Sequence, residues 1–130
     1  LLWNQASTRF DLTNDLTVTG LLSATTKSFD IVHPTKEGHR LRYGVLEGPE
    51  NGVYVRGRTR GSVIELPEVW VGLVHEDSIT VQLTAIGEQL PVYVESIKNN
   101  KVYVSAEDEY FYYILAERKD VSKLEVEYEA

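Results

Sequence analysis

Along most of this chain β-branched and aromatic residues alternate with polar ones in short runs, and each run stops at Gly, Asn, Asp or Pro. A period of two sends successive side chains to opposite faces of an extended backbone, so each run has one face to bury and one to wet. No segment sustains a helical period for three turns. The pattern predicts an all-β, sandwich-like antiparallel domain. Strands are expected near residues 8–12, 15–19, 27–32, 40–46, 52–58, 62–65, 79–84, 91–98, 101–105, 111–117 and 123–128.

The clearest hairpin joins Val92-Tyr-Val-Glu-Ser-Ile-Lys98 to Lys101-Val-Tyr-Val104 through Asn99-Asn100, because Asn tolerates the positive φ that a two-residue turn demands. A second hairpin is expected around Glu47-Gly-Pro-Glu-Asn-Gly52, between strands carrying Leu41, Tyr43 and Val45 and Val53 and Val55. One short helix is expected within Leu66–Val74. Pro67 suits its first position, Glu68 its positive end, and Trp70 with Leu73 or Val74 forms a buried plug. Tyr110-Phe-Tyr-Tyr-Ile-Leu-Ala116 is apolar on both faces, which predicts a central strand covered on both sides, by a second layer or by another subunit.

A length of 130 residues suits one hydrophobic core without a metal or disulfide. The net charge of -7 sets most of the surface against polyanions and argues against general nucleic-acid binding, while leaving room for a local basic patch. Having no cysteine, the chain holds no disulfide, thiolate metal site or cysteine nucleophile. No apolar run is long enough for a membrane-inserting helix, and the absence of methionine, initiator included, reads as a piece of a longer polypeptide. The first twenty residues are richer in Thr, Asn and Asp, and Asp-Leu-Thr recurs at 11–13 and 15–17. Strands this short and polar need a neighbour to become ordered, either the main domain or the same segment of sister chains.

Arg56, Arg58 and Arg60 alternate within an expected strand, so three guanidiniums share one face and require neutralisation. Glu47, Glu50 and Glu65, or carboxylates of a sister subunit, are the structural answer. A bound acidic sugar or phosphate is the functional one, since arginine forks grip such groups in pairs of hydrogen bonds. His33, His39 and His75 match no metal template and read as structural, with His33 a satisfied core residue bonded to a backbone carbonyl or to Glu47. Lys27 and Ser28 point to opposite faces and cannot activate each other. Glu107-Asp-Glu109 and His75-Glu-Asp77 lack the spacing of a calcium loop. Tyr110, Tyr112, Tyr113 and Trp70, embedded among Phe111, Ile114 and Leu115, read as core more readily than as a sugar platform. Neither a catalytic residue, a metal site nor a cofactor is expected.

Trp3-Asn4, Arg9-Phe10, Leu16–Gly20, Thr26–Thr35, Leu41–Tyr43, Leu46–Tyr54, Arg56-Gly57, Ile64–Pro67, Trp70, Ile79–Thr84 and Ile86-Gly87 together resemble the C-terminal module of tailed-bacteriophage virion fibre proteins. Related modules end bacterial surface and adhesive fibres. The likeness spans roughly residues 3 to 128 and is most specific from Lys27 to Tyr54. It implies a β-rich tip after a repetitive shaft, commonly trimeric, with a structural or adhesive role and without catalysis. The serine and lysine dyad of self-cleaving fibre chaperones has no counterpart here.

The expectation is thus a fibre-shaft or oligomerisation segment at 1–22 and a tip domain at 23–130, forming a homotrimer on the virion. Other virion proteins would join through chain ahead of the segment, and a host surface glycan is the candidate ligand. His33, Pro34, Tyr43, Glu47, Gly48, Pro49, Gly52, Tyr54 and Trp70 are the residues expected to hold the fold together. A carbohydrate-receptor module and a capsid-decoration or baseplate protein are the rival readings.

Overall fold

The computed structural model describes residues 2–129; Leu1 and Ala130, the outermost residues of the two expected segments, lie outside the described residues. All strand pairing is antiparallel. A hairpin, β1 (Leu2–Asn4) with β2 (Arg9–Asp11), comes first, and a second follows from β3 (Ser28–Val32) and β4 (Arg40–Gly44). Two three-stranded sheets complete the body. One has the order β5 (Gly52–Thr59), β10 (Tyr110–Glu117), β7 (Thr80–Ala85), and the other β6 (Val63–Glu65), β9 (Lys101–Ser105), β8 (Tyr93–Lys98). The chain is all-β and sandwich-like, as the alternation requires.

The inward faces of the two sheets meet in one apolar cluster. Val53, Ile114, Ala116 and Tyr110 come from the first, Ile64, Val102 and Val104 from the second. The helical turn α1 (Trp70–Leu73), followed by a 3-10 turn at Glu76–Ser78, closes one end. Its first hydrogen bond runs from the Trp70 amide to the Pro67 carbonyl, and Trp70 and Leu73, three residues apart, are both fully buried. Trp70 Nε1 donates to the Tyr43 hydroxyl at 3.4 Å, tying the helix to the β3–β4 hairpin. Gly72 is obligatory in this joint: a Cβ there would lie 2.8 Å from Pro34 Cβ, so only glycine admits the His33-Pro34-Thr35 loop.

The Asn99-Asn100 turn forms as expected, with φ of 55° and 57°, although a bulge between Val94 and Ser96 shifts the register of the hairpin it closes. Asn100 does more than turn the chain. Its amide donates to the carbonyls of Leu66 and Pro67, satisfying the segment that enters α1.

Four expectations are corrected. Residues 40–46 and 52–58 do not pair as a hairpin: β4 pairs with β3, and β5 pairs along all eight residues with β10. An eight-residue strand satisfies more backbone groups against a partner of equal length than against the five residues of β4. Residues 15–19 and 123–128 form no strand, since neither has a neighbour to pair with. Strand β10 is central in its sheet, but no second layer of this chain covers its outer face, where Phe111 is 49% exposed. His33 is half-buried at the surface. Its Nδ1 accepts from the Thr35 amide at 3.3 Å, while Glu47 pairs instead with Lys27 at 3.1 Å.

Candidate functional site

Strand parity places Tyr54, Arg56 and Arg58 of β5 on the outer face of the first sheet, opposite Leu115, Tyr113 and Phe111 of β10. Thr80, Gln82 and Thr84 of β7 complete the same three rows. The central row is therefore Arg56, Tyr113, Gln82: a guanidinium, an aromatic ring and an amide side by side. Tyr54 and Tyr113 have ring centroids 5.7 Å apart at 42°. Arg56, Arg58, Gln82, Thr84, Phe111 and Tyr113 border an open depression of about 540 Å³.

The arginine row is neutralised from a direction the sequence did not suggest. Arg58 donates through Nε and a terminal nitrogen to Glu109, and Arg60 reaches Asp108 at 3.2 Å and Glu109 at 3.3 Å. Glu47, Glu50 and Glu65, the expected partners, take no part. Gln89 holds the acidic loop in place. Its amide nitrogen donates to the Glu109 carbonyl, and its oxygen accepts from the amides of Glu107 and Asp108. The hydrogen bonds from Arg58 and then Arg60 hold the Glu109 carboxyl below its ordinary pKa. Arg56 has no carboxylate within ion-pair distance among the described residues. Three guanidinium charges thus face two carboxylates, and the surplus sits at Arg56.

A second arginine pair escaped the sequence reading. Arg40 and Arg42 on β4 both grip Asp30 on β3, at 2.6 and 2.7 Å. These bonds, that from Arg42 first, lower the Asp30 pKa. The signal was present in the alternation of Arg40-Leu-Arg42 against Asp30, the same geometry as the longer row. Nothing aromatic lies on that face among the described residues, and the two guanidiniums share the single Asp30 carboxylate.

The four aromatic residues weighed as a sugar platform separate. Tyr110 and Trp70 are in the core, and burial raises the Tyr110 pKa while its hydroxyl donates to the Gly61 carbonyl at 2.8 Å. Tyr112 packs inward over Gly57, where a Cβ would lie 2.6 Å from its hydroxyl. Tyr113 alone faces out, with Tyr54 and Phe111 as its aromatic company.

Of the residues expected to hold the fold, Trp70, Tyr43 and Pro34 meet at the α1 joint, as described. Gly52 opens β5 beside the Ala116 carbonyl. Glu47, Gly48 and Pro49 lie on an exposed loop, and Tyr54 belongs to the arginine-bearing face. His39 and His75 are exposed, and among the described residues no three His, Asp or Glu side chains gather as a metal cluster. Among the described residues no helix is long and apolar enough to cross a membrane.

No protein-family model, curated protein or solved structure matches this chain.

Proposed function

We propose that this chain is the terminal module of a homotrimeric fibre protein of a tailed-bacteriophage virion, a structural part that ends the shaft and acts without catalysis. The fibre assignment follows the sequence resemblance, and its self-associating part rests on one observation. Leu2, Trp3, Phe10, Leu12, Leu16, Val18, Leu21 and Leu22 are all exposed large apolar residues, and among the described residues no hydrophobic side chain before Phe29 joins the core cluster or packs against it. A three-residue hairpin with an extended continuation cannot shelter such side chains alone. Winding against two sister copies shelters them and makes each chain end depend on the others.

Light scattering tests this on the full chain and on a chain lacking residues 1–20. A three-fold mass that falls on truncation supports the reading, and a single-chain mass in both samples overturns it. The body should survive truncation, because the leader gives nothing to its core.

A second reading has its own support. Arg56, without a carboxylate within ion-pair distance among the described residues and paired across the strands with Tyr113, suits the carboxylate and ring face of an acidic sugar. Binding to a glycan array that disappears with Arg56→Ala would carry it, and trimer avidity would multiply a weak contact.

A further inference from the structure

The β3–β4 hairpin is joined to the body almost wholly by side-chain packing. Among the described residues no backbone hydrogen bond links residues 27–47 to either three-stranded sheet, and the one side-chain hydrogen bond is that of 3.4 Å from Trp70 to the Tyr43 hydroxyl. Phe29, Ile31, Leu41 and Tyr43 pack against the core cluster and stay half-buried. Open space lies along two sides of this contact. A crevice of about 590 Å³ separates Arg42, Tyr43 and Leu46 from Val53, Tyr54 and Val55 of β5. Another, of about 380 Å³, lies between His33, Thr35 and Lys36 on one side and Glu68 and Val69 on the other. A fully annealed layer leaves no such voids at its boundary.

Within itself the hairpin is well tied. Strands β3 and β4 pair over five residues, the His33 amide donates to the His39 carbonyl at 2.9 Å, Arg40 and Arg42 both hold Asp30, and Lys27 reaches Glu47 at 3.1 Å. Its two connections, residues 21–26 and 48–50, are exposed throughout. A unit with many internal bonds, few external ones and free connections opens as one piece. We propose that residues 27–47 form a flap that undocks from the body as one unit while both three-stranded sheets stay folded, and that Arg118 and Asp120 are its latch.

The latch is built by the chain that leaves β10. Arg118 is fixed through its backbone amide, which donates to the Asn51 carbonyl at 2.8 Å, and through a two-pronged bond to Asp120 at 2.9 and 2.6 Å. Lys119 anchors the same segment to α1, its amide donating to the Leu73 carbonyl and its ammonium to the Val71 carbonyl. So held, the Arg118 guanidinium lies 3.9 Å from the centroid of the Phe29 ring, and the side chains of Arg118 and Asp120 are only 10% and 19% exposed. A paired cation this sheltered attracts an aromatic face more strongly than an exposed one does. Chain order gives the flap its role. The leader runs directly into β3, so a pull on the leader reaches the flap before either sheet. On the terminal-module reading proposed above, the flap is the yielding joint between shaft and tip, although its undocking does not depend on that reading.

Amide exchange on the full chain tests the flap. The hydrogen-bonded amides of β3 and β4 are expected to exchange together, about tenfold or more faster than those of the central strands β9 and β10, and with a weaker dependence on denaturant. Asp120→Asn unclasps Arg118 without touching the core and should speed flap exchange about fivefold. Tyr110→Phe removes the bond to the Gly61 carbonyl, at the end of the first sheet away from the flap. That bond stays made when the flap is open, so the substitution should speed β9 and β10 about fivefold and leave β3 and β4 unchanged. Exchange of β3 and β4 at the rate of β9 and β10, or equal acceleration of all four strands by Tyr110→Phe, overturns the flap. Flap exchange unmoved by Asp120→Asn overturns the latch. Solution mass enters none of these readouts, so a single-chain mass removes the trimer and leaves the flap to be decided by exchange alone.

Discussion

Residues 2–27 and residues 28–118 draw on the same stock of Thr, Val, Leu and aromatic side chains, yet only the second region hides them. In the leader, Trp3 and Phe10 meet edge to face at 4.9 Å and still remain 53% and 61% exposed. Such a pair contributes about 0.5–1.5 kcal/mol beyond its area, too little to order a hairpin by itself. In the body, Trp70 is 1% exposed because two sheets, a helical turn and the β3–β4 hairpin converge on it. The difference teaches that alternation makes a strand able to bury one face, while a second layer decides whether it does.

The largest test of this contrast exchanges one tryptophan for the other. Trp70→Ala should destabilise the body by about 3–5 kcal/mol in chemical denaturation, through an unfilled cavity and the lost bond to Tyr43. Trp3→Ala should leave the unfolding midpoint of the body in place and lower the mass in solution. Equal loss of body stability from both would erase the distinction between the regions.

Glycines sharpen it at the next level. Gly72→Ala forces a Cβ against Pro34 and should cost about 1–3 kcal/mol, read from the denaturation midpoint. Gly20→Ala meets nothing within 4 Å and should leave the midpoint unmoved.

Asparagines come third. Asn100→Ala loses two bonds to the helix entry and puts alanine at φ 57°, a change of about 1–2 kcal/mol. Asn4→Ala removes a bond of 2.8 Å to Asp11, and calorimetry of the body should not register it.

The smallest effect is electrostatic. Glu109 and Asp11 both have depressed pKa values, from the Arg58 and Arg60 bonds in the first case and the Asn4 and Arg9 bonds in the second. A carboxyl whose folded pKa is lowered adds stability above its unfolded pKa and loses it as pH falls through the folded value. Glu109→Gln should therefore weaken the body slightly at neutral pH, and urea titrations should show the gap to the native chain closing in acid. Asp11→Asn should show no such gap for the body at any pH.

Much of the body was legible because its signals are local. Asn99-Asn100 sets its own dihedrals, and Pro67 with Trp70 and Leu73 marks a turn of helix within seven residues. The arginine row was legible as a row for the same reason. Its partners were not, since Glu109 lies 51 residues from Arg58 and reaches it only because β10 pairs with β5. The adjacency of residues 40–46 and 52–58 suggested a hairpin, and the structure instead leaves an open gap between those strands. The platform aromatics failed in a related way. Tyr112 and Tyr113 are neighbours in the chain, but the parity of the pairing sends one over Gly57 and the other to solvent.

By itself the sequence determined that this chain forms short antiparallel strands with one apolar face each, a single helical plug and a tight Asn-Asn turn, because period, φ preference and capping act over a few residues. Only the tertiary structure decided which strands pair, which carboxylates answer the arginines, and which apolar residues stay uncovered. Those outcomes depend on competition among distant partners of similar local character, and the competition is settled by how many backbone groups and apolar faces each pairing satisfies at once.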